Sequence, residues 1–299
     1  MEYVVSARIS QIQVIDPGEI RRVQLALPAD VEIGGRRYVI HDTMRPGTAF
    51  LAKPWGSRTE KYRRRMYTRS NASTQEPGIL ETIINHTHRQ QADTSIWWQS
   101  KIADDWYEEG KTIDVRVTIE ESQGIAIVYE NTAVCKESNL RLEPDGEWEN
   151  LRLVCVAFGT GVTPFLSYIR YMADQQWAIR GGVPGGSLTL IVSVRHEGQL
   201  MLHQELLKMA QEFSQHFRYL PVLTRSWPSD WSSLTGRIVR TKVLPSGVEQ
   251  IDPTPLLELV PDLSQSDLRM CGSVAACRQV MQGLREHSIL PVTVRTESW

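Results

Sequence analysis

Phe158-Gly159-Thr160-Gly161-Val162-Thr163-Pro164 follows a continuous apolar run, Leu151–Phe158, and precedes a stretch in which Phe165, Leu166, Ile169 and Met172 share one helical face. A strand-to-helix turn of this kind aims backbone N–H groups and the positive end of a helix dipole at a ligand, and glycine lets that ligand approach the backbone. The chemistry is phosphate binding. Because the string is G-x-G-x-x-P and not G-x-G-x-x-G, taken alone it is equally compatible with a plain tight connection.

Arg65-Met66-Tyr67-Thr68 places a cation, an aromatic face and a hydroxyl within four residues of a predicted strand. Period-2 geometry sends Arg65 and Tyr67 to one side and Thr68 to the other, so one ligand touching all three needs a strand terminus. Three arginines form a third candidate group: Arg195, Arg225 and Arg237 each follow or adjoin a predicted parallel strand, where nucleotides bind. His86 and His88 have no nearby Cys or carboxylate cluster, so no metal site is expected.

The elements that must hold these residues fall into two patterns. Strand candidates near residues 3–14, 20–27, 37–41, 48–52, 65–69, 79–86, 112–119 and 125–129, separated by Pro/Gly/Asn turns, predict an antiparallel barrel. Ile113, Val115, Val117 and Ile119 alternate with polar residues, as a half-buried strand requires. The polar stretch 136–150, with Pro144-Asp145-Gly146 as a turn, ends that pattern, and the boundary is set between residues 147 and 148.

After it, buried strands alternate with amphipathic helices. Thr163 is the expected N-cap and Pro164 the first residue of the helix that follows the glycine turn. Leu188–Val194 and Tyr219–Thr224 read as strands, with Leu202, Leu206, Met209 and Phe213 on one face of the helix between them. Arg269-Met270-Cys271 enters a further turn, Ser273 caps a helix carrying Val274, Cys277, Val280, Met281 and Leu284, and Pro291–Arg295 forms a last strand. This alternation implies a parallel sheet covered on both faces, a Rossmann-like α/β domain following the β-barrel.

Composition excludes several classes. The chain has 299 residues, a net charge of −2, 41% hydrophobic and 23% charged residues, so it has the core of a globular protein and no bulk attraction to nucleic acid or anionic lipid. Cys135, Cys155, Cys271 and Cys277 fit neither a disulfide scaffold nor paired metal spacing, which points to a reducing, cytoplasmic setting. The first residues, MEYVVSARIS, lack a basic region followed by an apolar core, and no apolar run reaches the ~18 residues of a membrane span.

The ordered motifs resemble the ferredoxin–NADP reductase family. Its members carry R-x-Y-S/T in a flavin-binding barrel, here Arg65–Thr68, and G-T-G-x-x-P at the start of the nucleotide domain, here Gly159–Pro164. Met270-Cys271-Gly272 is similar to the family's C-G turn beside the nicotinamide, and Glu297-Ser298-Trp299 to its terminal Glu-x-aromatic. The resemblance spans residues 45–299 and implies a flavin (FAD) domain over 1–147 and an NADP domain over 148–299.

Carried onto this chain, it implies that Arg65 pairs with the flavin pyrophosphate, Tyr67 packs on the isoalloxazine, and Thr68 offers its hydroxyl to flavin N5, with Met66 between them. Gly159, Thr160, Gly161 and Pro164 would hold the nucleotide, with Cys271 and Gly272 beside the nicotinamide. The strings VLTRS and LTGRI resemble the bacterial branch, in which arginines matching Arg195, Arg225 and Arg237 hold the 2′-phosphate. Glu297 would exchange a proton with reduced flavin, and Trp299 would stack over the flavin and swing aside for nicotinamide.

Three departures stand out. Asn71 replaces a frequent serine, Leu202 stands where many relatives have an adenine-stacking tyrosine, and the second phosphate loop survives only as Trp97-Trp98-Gln99-Ser100, leaving Ser100 as its cofactor contact. Trp97 and Trp98 read either as a flavin-adenine stack or as packing.

The implied activity is hydride transfer between NADPH and FAD, with single electrons passed to or from ferredoxin, flavodoxin or another small iron–sulfur carrier. No C-x4-C-x2-C cluster occurs, so the carrier is a separate protein. Lys61, Arg63, Arg64 and Arg65 read either as a docking patch for an acidic carrier or as a solvated loop. Two alternatives accompany this reading: NADPH-dependent reduction of a haem protein or free flavin, and a non-catalytic regulatory subunit of the same fold.

Overall fold

A computed structural model of the protein describes residues 2–16, 20–54, 65–85, 112–130, 140–142, 151–178 and 186–298. The chain divides into two compact units, one of residues 1–134 with 166–174, the other of residues 135–165 with 175–299.

In the first unit the strands are β1 (Glu2–Asp16), β2 (Ile20–Ala26), β3 (Asp30–Ile33), β4 (Arg36–His41), β5 (Ala49–Pro54), β6 (Arg65–Thr68), β7 (Ile79–Asn85), β8 (Thr112–Glu120) and β9 (Ile125–Val128). In β8 the expected alternation holds: Ile113, Val115, Val117 and Ile119 are buried and the residues between them are not. They meet Val23, Leu25, Phe50 and Leu80 in the core of the unit. Tertiary burial of this one face is what fixes the register.

The pairing is mostly antiparallel, in the order β3-β4-β9-β8-β1-β2-β7, with β5 joined to both β6 and β8. Between the end of β6 and β7 there is a single isolated bridge, Arg69 to Thr82. Through it the path β1-β2-β7-β6-β5-β8 returns to β1, so the curled sheet closes on itself. One pair, β4 with β9, is parallel and departs from the expected all-antiparallel pattern. Intervening strands supply the long crossover that a parallel pair needs.

The second unit alternates strand and helix: β10 (Arg152–Phe158), α1 (Thr163–Asp174), β11 (Ser187–Val194), α2 (His203–Glu212), β12 (Phe217–Leu223) and β13 (Leu234–Thr235). A two-stranded antiparallel ribbon, β14 (Arg240–Val243) with β15 (Glu249–Asp252), comes next, then α3 (Thr254–Leu259), β16 (Asp267–Gly272), α4 (Val274–Glu286) and β17 (Thr293–Ser298). Residues 166–174 of α1 group with the first unit.

The main sheet is parallel, in the order β13-β12-β11-β10-β16-β17. From β10 the chain adds strands outward on one side, then crosses to place β16 on the other. The gap between β10 and β16 is therefore the topological switch point, where ligands of open α/β sheets bind.

Two boundaries differ from expectation. The residues read as entering a turn, Arg269–Cys271, lie inside β16, a fully buried strand. The last strand starts at Thr293 and not at Pro291, because Pro291 has no N–H to give a ladder. No helix among the described residues is long and apolar enough to cross a membrane.

Candidate functional site

At the switch point two glycine turns interlock. A single 3₁₀ turn, Gly159–Val162, follows β10, and no side chain caps its start at Phe158, which leaves its N–H groups to a ligand. A Cβ added to Gly161 would lie 2.1 Å from the carbonyl oxygen of Cys271, and one added to Gly272 would lie 2.3 Å from that of Phe158. Gly272 also has φ +121°, a conformation side chains resist. The two motifs, more than a hundred residues apart, thus require glycine for the same reason: each backbone fills the other's Cβ space.

Thr163 already has helical dihedrals, φ −50° and ψ −51°, so it is the first helical residue and not the N-cap. The 3₁₀ turn runs straight into α1, and the Thr163 hydroxyl donates to the Thr160 carbonyl at 2.6 Å. Pro164 is then the second residue of the helix, still within the turn that has no N–H partner to lose.

Register places Ala157, Cys271 and Glu297 side by side on three adjoining strands. The Cys271 thiol is buried, and burial together with the neighbouring Glu297 carboxylate pushes its pKa well above the usual thiol value. It is a neutral, non-nucleophilic group. Glu297 is half-buried, and desolvation raises its pKa from 4.5 to about 7. A carboxyl poised there can hold and release a proton at neutral pH.

Arg195, Arg225 and Arg237 emerge along the carboxyl edge of β11, β12 and β13. The loops after β11 and β12 are zipped together: the N–H of Thr224 donates to Val194 at 2.9 Å, and those of Arg225 and Ser226 to the Arg195 carbonyl at 3.0 and 3.1 Å. Gly236, at φ +88°, donates its N–H to Leu223 at 2.8 Å and turns the chain into Arg237. Arg195 Nε donates to Gln199 Oε1 at 3.2 Å. Arg225 and Arg237 are exposed and have no carboxylate partner among the described residues. Leu202 precedes α2 in the left-handed region, at φ +54°.

In the first unit, β6 presents Met66 exposed and Tyr67 and Thr68 half-buried. The Tyr67 ring stacks on the buried Phe50, with centroids 5.8 Å apart and planes at 29°. Thr82 Oγ1 donates to the Thr68 carbonyl at 2.8 Å and holds that strand end. The Arg65 backbone belongs to β6; its side chain, Ser100, Trp97, Trp98, Trp299 and the Lys61, Arg63, Arg64 run lie outside the described residues.

A buried charge network behind Thr68 escaped the sequence reading. Arg69 grips Asp42 through two bonds of 2.6 and 2.9 Å and donates from Nε to Asn71 Oδ1 at 2.9 Å. Asn71 in turn accepts the Glu81 N–H at 3.0 Å, so the residue that departs from the resembled serine is a structural junction. Glu81, fully buried, accepts from Ser70 Oγ at 2.7 Å, Arg170 Nη1 at 2.6 Å, Arg22 Nε at 2.7 Å and Gln24 Nε2 at 2.9 Å. Burial alone would raise its pKa, but Arg170, Arg22 and Gln24 hold it at about 2. The signal available in sequence was one charged residue, Glu81, at a position whose neighbours in β7 are all apolar or small.

Residues 155–281 match the family described as the oxidoreductase NAD-binding domain. Among solved structures, a ferredoxin NADP+ reductase from Neisseria gonorrhoeae with bound FAD and NADP is 16% identical, with 99% of this chain and 98% of that one covered and a TM-score of 0.61. The cytochrome b5 reductase domain of Ulva prolifera nitrate reductase is 15% identical, covering 99% and 97%, at 0.62. The FAD/NAD-binding domain of nitric oxide dioxygenase from Vibrio cholerae is 13% identical, covering 99% and 98%, at 0.61. No curated protein matches by sequence.

The parallel sheet with its switch point is the fold expected of such a domain, and residues 155–281 match the oxidoreductase NAD-binding domain model. The chain as a whole has the two-part fold of the ferredoxin–NADP reductase family.

Proposed function

We propose that the chain is a flavoenzyme that takes hydride from NADPH and passes electrons singly to a separate carrier, ferredoxin, flavodoxin or another small iron–sulfur protein in the cytoplasm. The interlocked glycines beside Cys271 and Glu297 carry this reading, because they pack the turn after β10 tightly against the end of β16 at the switch point, next to a carboxyl whose pKa burial raises to about 7. In this assignment residues 1–147 hold FAD and residues 148–299 hold NADPH. FAD, when bound, supplies the ability to accept a hydride and release electrons one at a time.

The protein's own groups bind, orient and move protons. Arg65 and Ser100 take the FAD pyrophosphate, Tyr67 packs against the ring system, and the Thr68 hydroxyl, on a strand end fixed through Thr82, donates to the ring edge. Gly159, Thr160, Gly161 and Pro164 cradle the NADPH pyrophosphate. Cys271 and Gly272 bound the nicotinamide side with a neutral, close-packed wall. Glu297, whose carboxyl burial brings to a pKa of about 7, would hold and release the proton that electron uptake calls for. Arg195, Arg225 and Arg237 engage the 2′-phosphate.

A haem-protein acceptor is the second reading, since a cytochrome b5 reductase domain shares the fold as closely as a ferredoxin reductase does. Purification and anaerobic titration test the proposal: a yellow protein bleached by NADPH supports it, and a colourless preparation that takes up no FAD rejects it. Reduction rates with ferredoxin, flavodoxin and cytochrome b5 then separate the two acceptors.

A further inference from the structure

We propose that His203 is a positioning residue for nucleotide choice: its ring braces Trp231, Trp231 holds the edge strand β13, and β13 presents Arg237 to the 2′-phosphate of NADPH. This rests on the reading of Arg237 as a ligand of that phosphate.

Strand β13 needs support from outside the sheet. It is two residues long, lies on the open edge and pairs with β12 at Leu234 and Thr235. So short a ladder opens easily and does not by itself hold a side chain to one place. Two side-chain bonds add to it: Ser233 Oγ donates to the Pro221 carbonyl at 3.2 Å, and Trp231 Nε1 to the Leu234 carbonyl at 3.1 Å. Arg237 lies two residues past the end of this strand.

Trp231 is half-buried, and the ring packed against it is that of His203, with centroids 5.9 Å apart and planes at 32°. His203 is fixed in turn from the core. Its Nδ1 shares a hydrogen bond of 3.1 Å with the hydroxyl of Tyr219, a buried residue of β12, and the two ring centroids are 5.7 Å apart. Tyr219, His203 and Trp231 thus run as three rings from the body of β12, across the first residue of α2, to the loop that enters β13.

Histidine suits the middle place for two reasons. Burial pushes its pKa below the usual 6.5, against the pull of Glu197, so at neutral pH the ring meets Trp231 uncharged. Its nitrogen also answers a phenol hydroxyl that burial has cut off from water. Phenylalanine would supply the ring and strand the hydroxyl, and leucine would do neither. Backbone strain marks the same spot: Leu202, directly before His203, sits at φ +54° with no side-chain cap for α2. A left-handed leucine persists only where its surroundings over-determine it. Arg225 is held by another route, its N–H bonding the Arg195 carbonyl at 3.0 Å, so the brace serves Arg237 and not Arg225.

Steady-state kinetics of the full-length protein with NADPH and NADH test this, through double-mutant cycles of His203→Ala with Arg237→Ala and with Arg225→Ala. His203→Ala should raise the KM for NADPH about 3- to 30-fold, part of what one charge-assisted contact supplies, with kcat and the KM for NADH unchanged. In the Arg237→Ala background it should add nothing, because the group it positions is gone. In the Arg225→Ala background its full effect should remain. The paired change His203→Phe with Tyr219→Phe keeps all three rings and removes the hydroxyl together with its partner, and should hold the KM for NADPH within about 3-fold of wild type. Should His203→Ala fail to fold, His203→Gln, which keeps a partner for the hydroxyl and lacks the ring, takes its place in both cycles. An equal rise in the KM for NADH, or independent effects of the His203 and Arg237 changes, overturns the proposal. If Arg237→Ala raises the KM for NADPH and His203→Ala does not, the brace alone is rejected. If Arg237→Ala leaves the KM for NADPH unchanged, the 2′-phosphate reading fails and takes this proposal with it.

Discussion

The carbonyl oxygen of Cys271 occupies the space where a side chain of Gly161 would begin, 2.1 Å from the ideal Cβ position. The obstacle is strand backbone, which cannot swing aside as a flexible side chain would. Gly161→Ala must therefore push β10 and β16 apart at the switch point. We expect a loss of about 1–3 kcal/mol in stability, with a larger effect on NADPH affinity than on melting temperature. Thermal unfolding and nucleotide titration of the variant check both; a variant as tight and as stable as wild type would contradict the interlock.

Arg225 and Arg237 are exposed and unanswered by carboxylates, so their removal should cost the fold little. Each charge-assisted contact to a 2′-phosphate is worth about 1.5–3 kcal/mol, which is roughly a 10- to 100-fold rise in the KM for NADPH per substitution to alanine. The KM for NADH should not move. Steady-state kinetics with both nucleotides give the answer, and equal loss with NADH would assign the arginines to another part of the nucleotide.

Glu297 is expected to place a limb near pH 7 in the pH profile of the rate, because burial raises its pKa from 4.5 to about 7. Glu297→Gln should flatten that limb. The same shift has a stability consequence of definite sign: between pH 4.5 and 7 the folded protein holds a proton that the unfolded chain has released, so stability falls as pH rises through that window. Chemical denaturation at several pH values should show a shallower decline in Glu297→Gln than in wild type.

Glu81 works in the opposite direction. Its pKa is depressed from 4.5 to about 2, so the stability it contributes is complete above pH 4.5 and disappears as pH falls toward 2. Glu81→Gln leaves Arg170 and Arg22 facing a neutral amide, and breaking a buried ion pair from one side costs about 3–5 kcal/mol. The variant should melt at a markedly lower temperature at pH 7 and lose the acid-dependent slope. Unchanged acid unfolding would mean the carboxylate is not what the arginines hold.

Which parts of this were legible in sequence follows from how local each signal is. The alternation of Ile113, Val115, Val117 and Ile119 and the unbroken run of β10 announce themselves within a few residues, because each reflects one buried face or two. Strand β14 could not be read this way, since Arg240–Val243 is exposed throughout and carries no burial pattern. The glycine turn was visible, yet the reason for Gly161 was not, because the atom that forbids a side chain belongs to residue 271. Asp42, Arg69 and Glu81 are scattered over three segments and meet only when the sheet closes. Ordinary strand statistics place such residues on a solvated face.

The seam of the first unit has a consequence for how its sequence can change. A single backbone bridge, Arg69 to Thr82, joins β6 to β7, where neighbouring strands share full ladders. The clasp is made instead by side chains on either side of that bridge, so residues 42, 69, 71 and 81 are tied to one another's chemistry as bases in a pair are. A swap at one of them is tolerable only with an answering swap across the seam, and drift in this corner of the molecule has to proceed in matched steps.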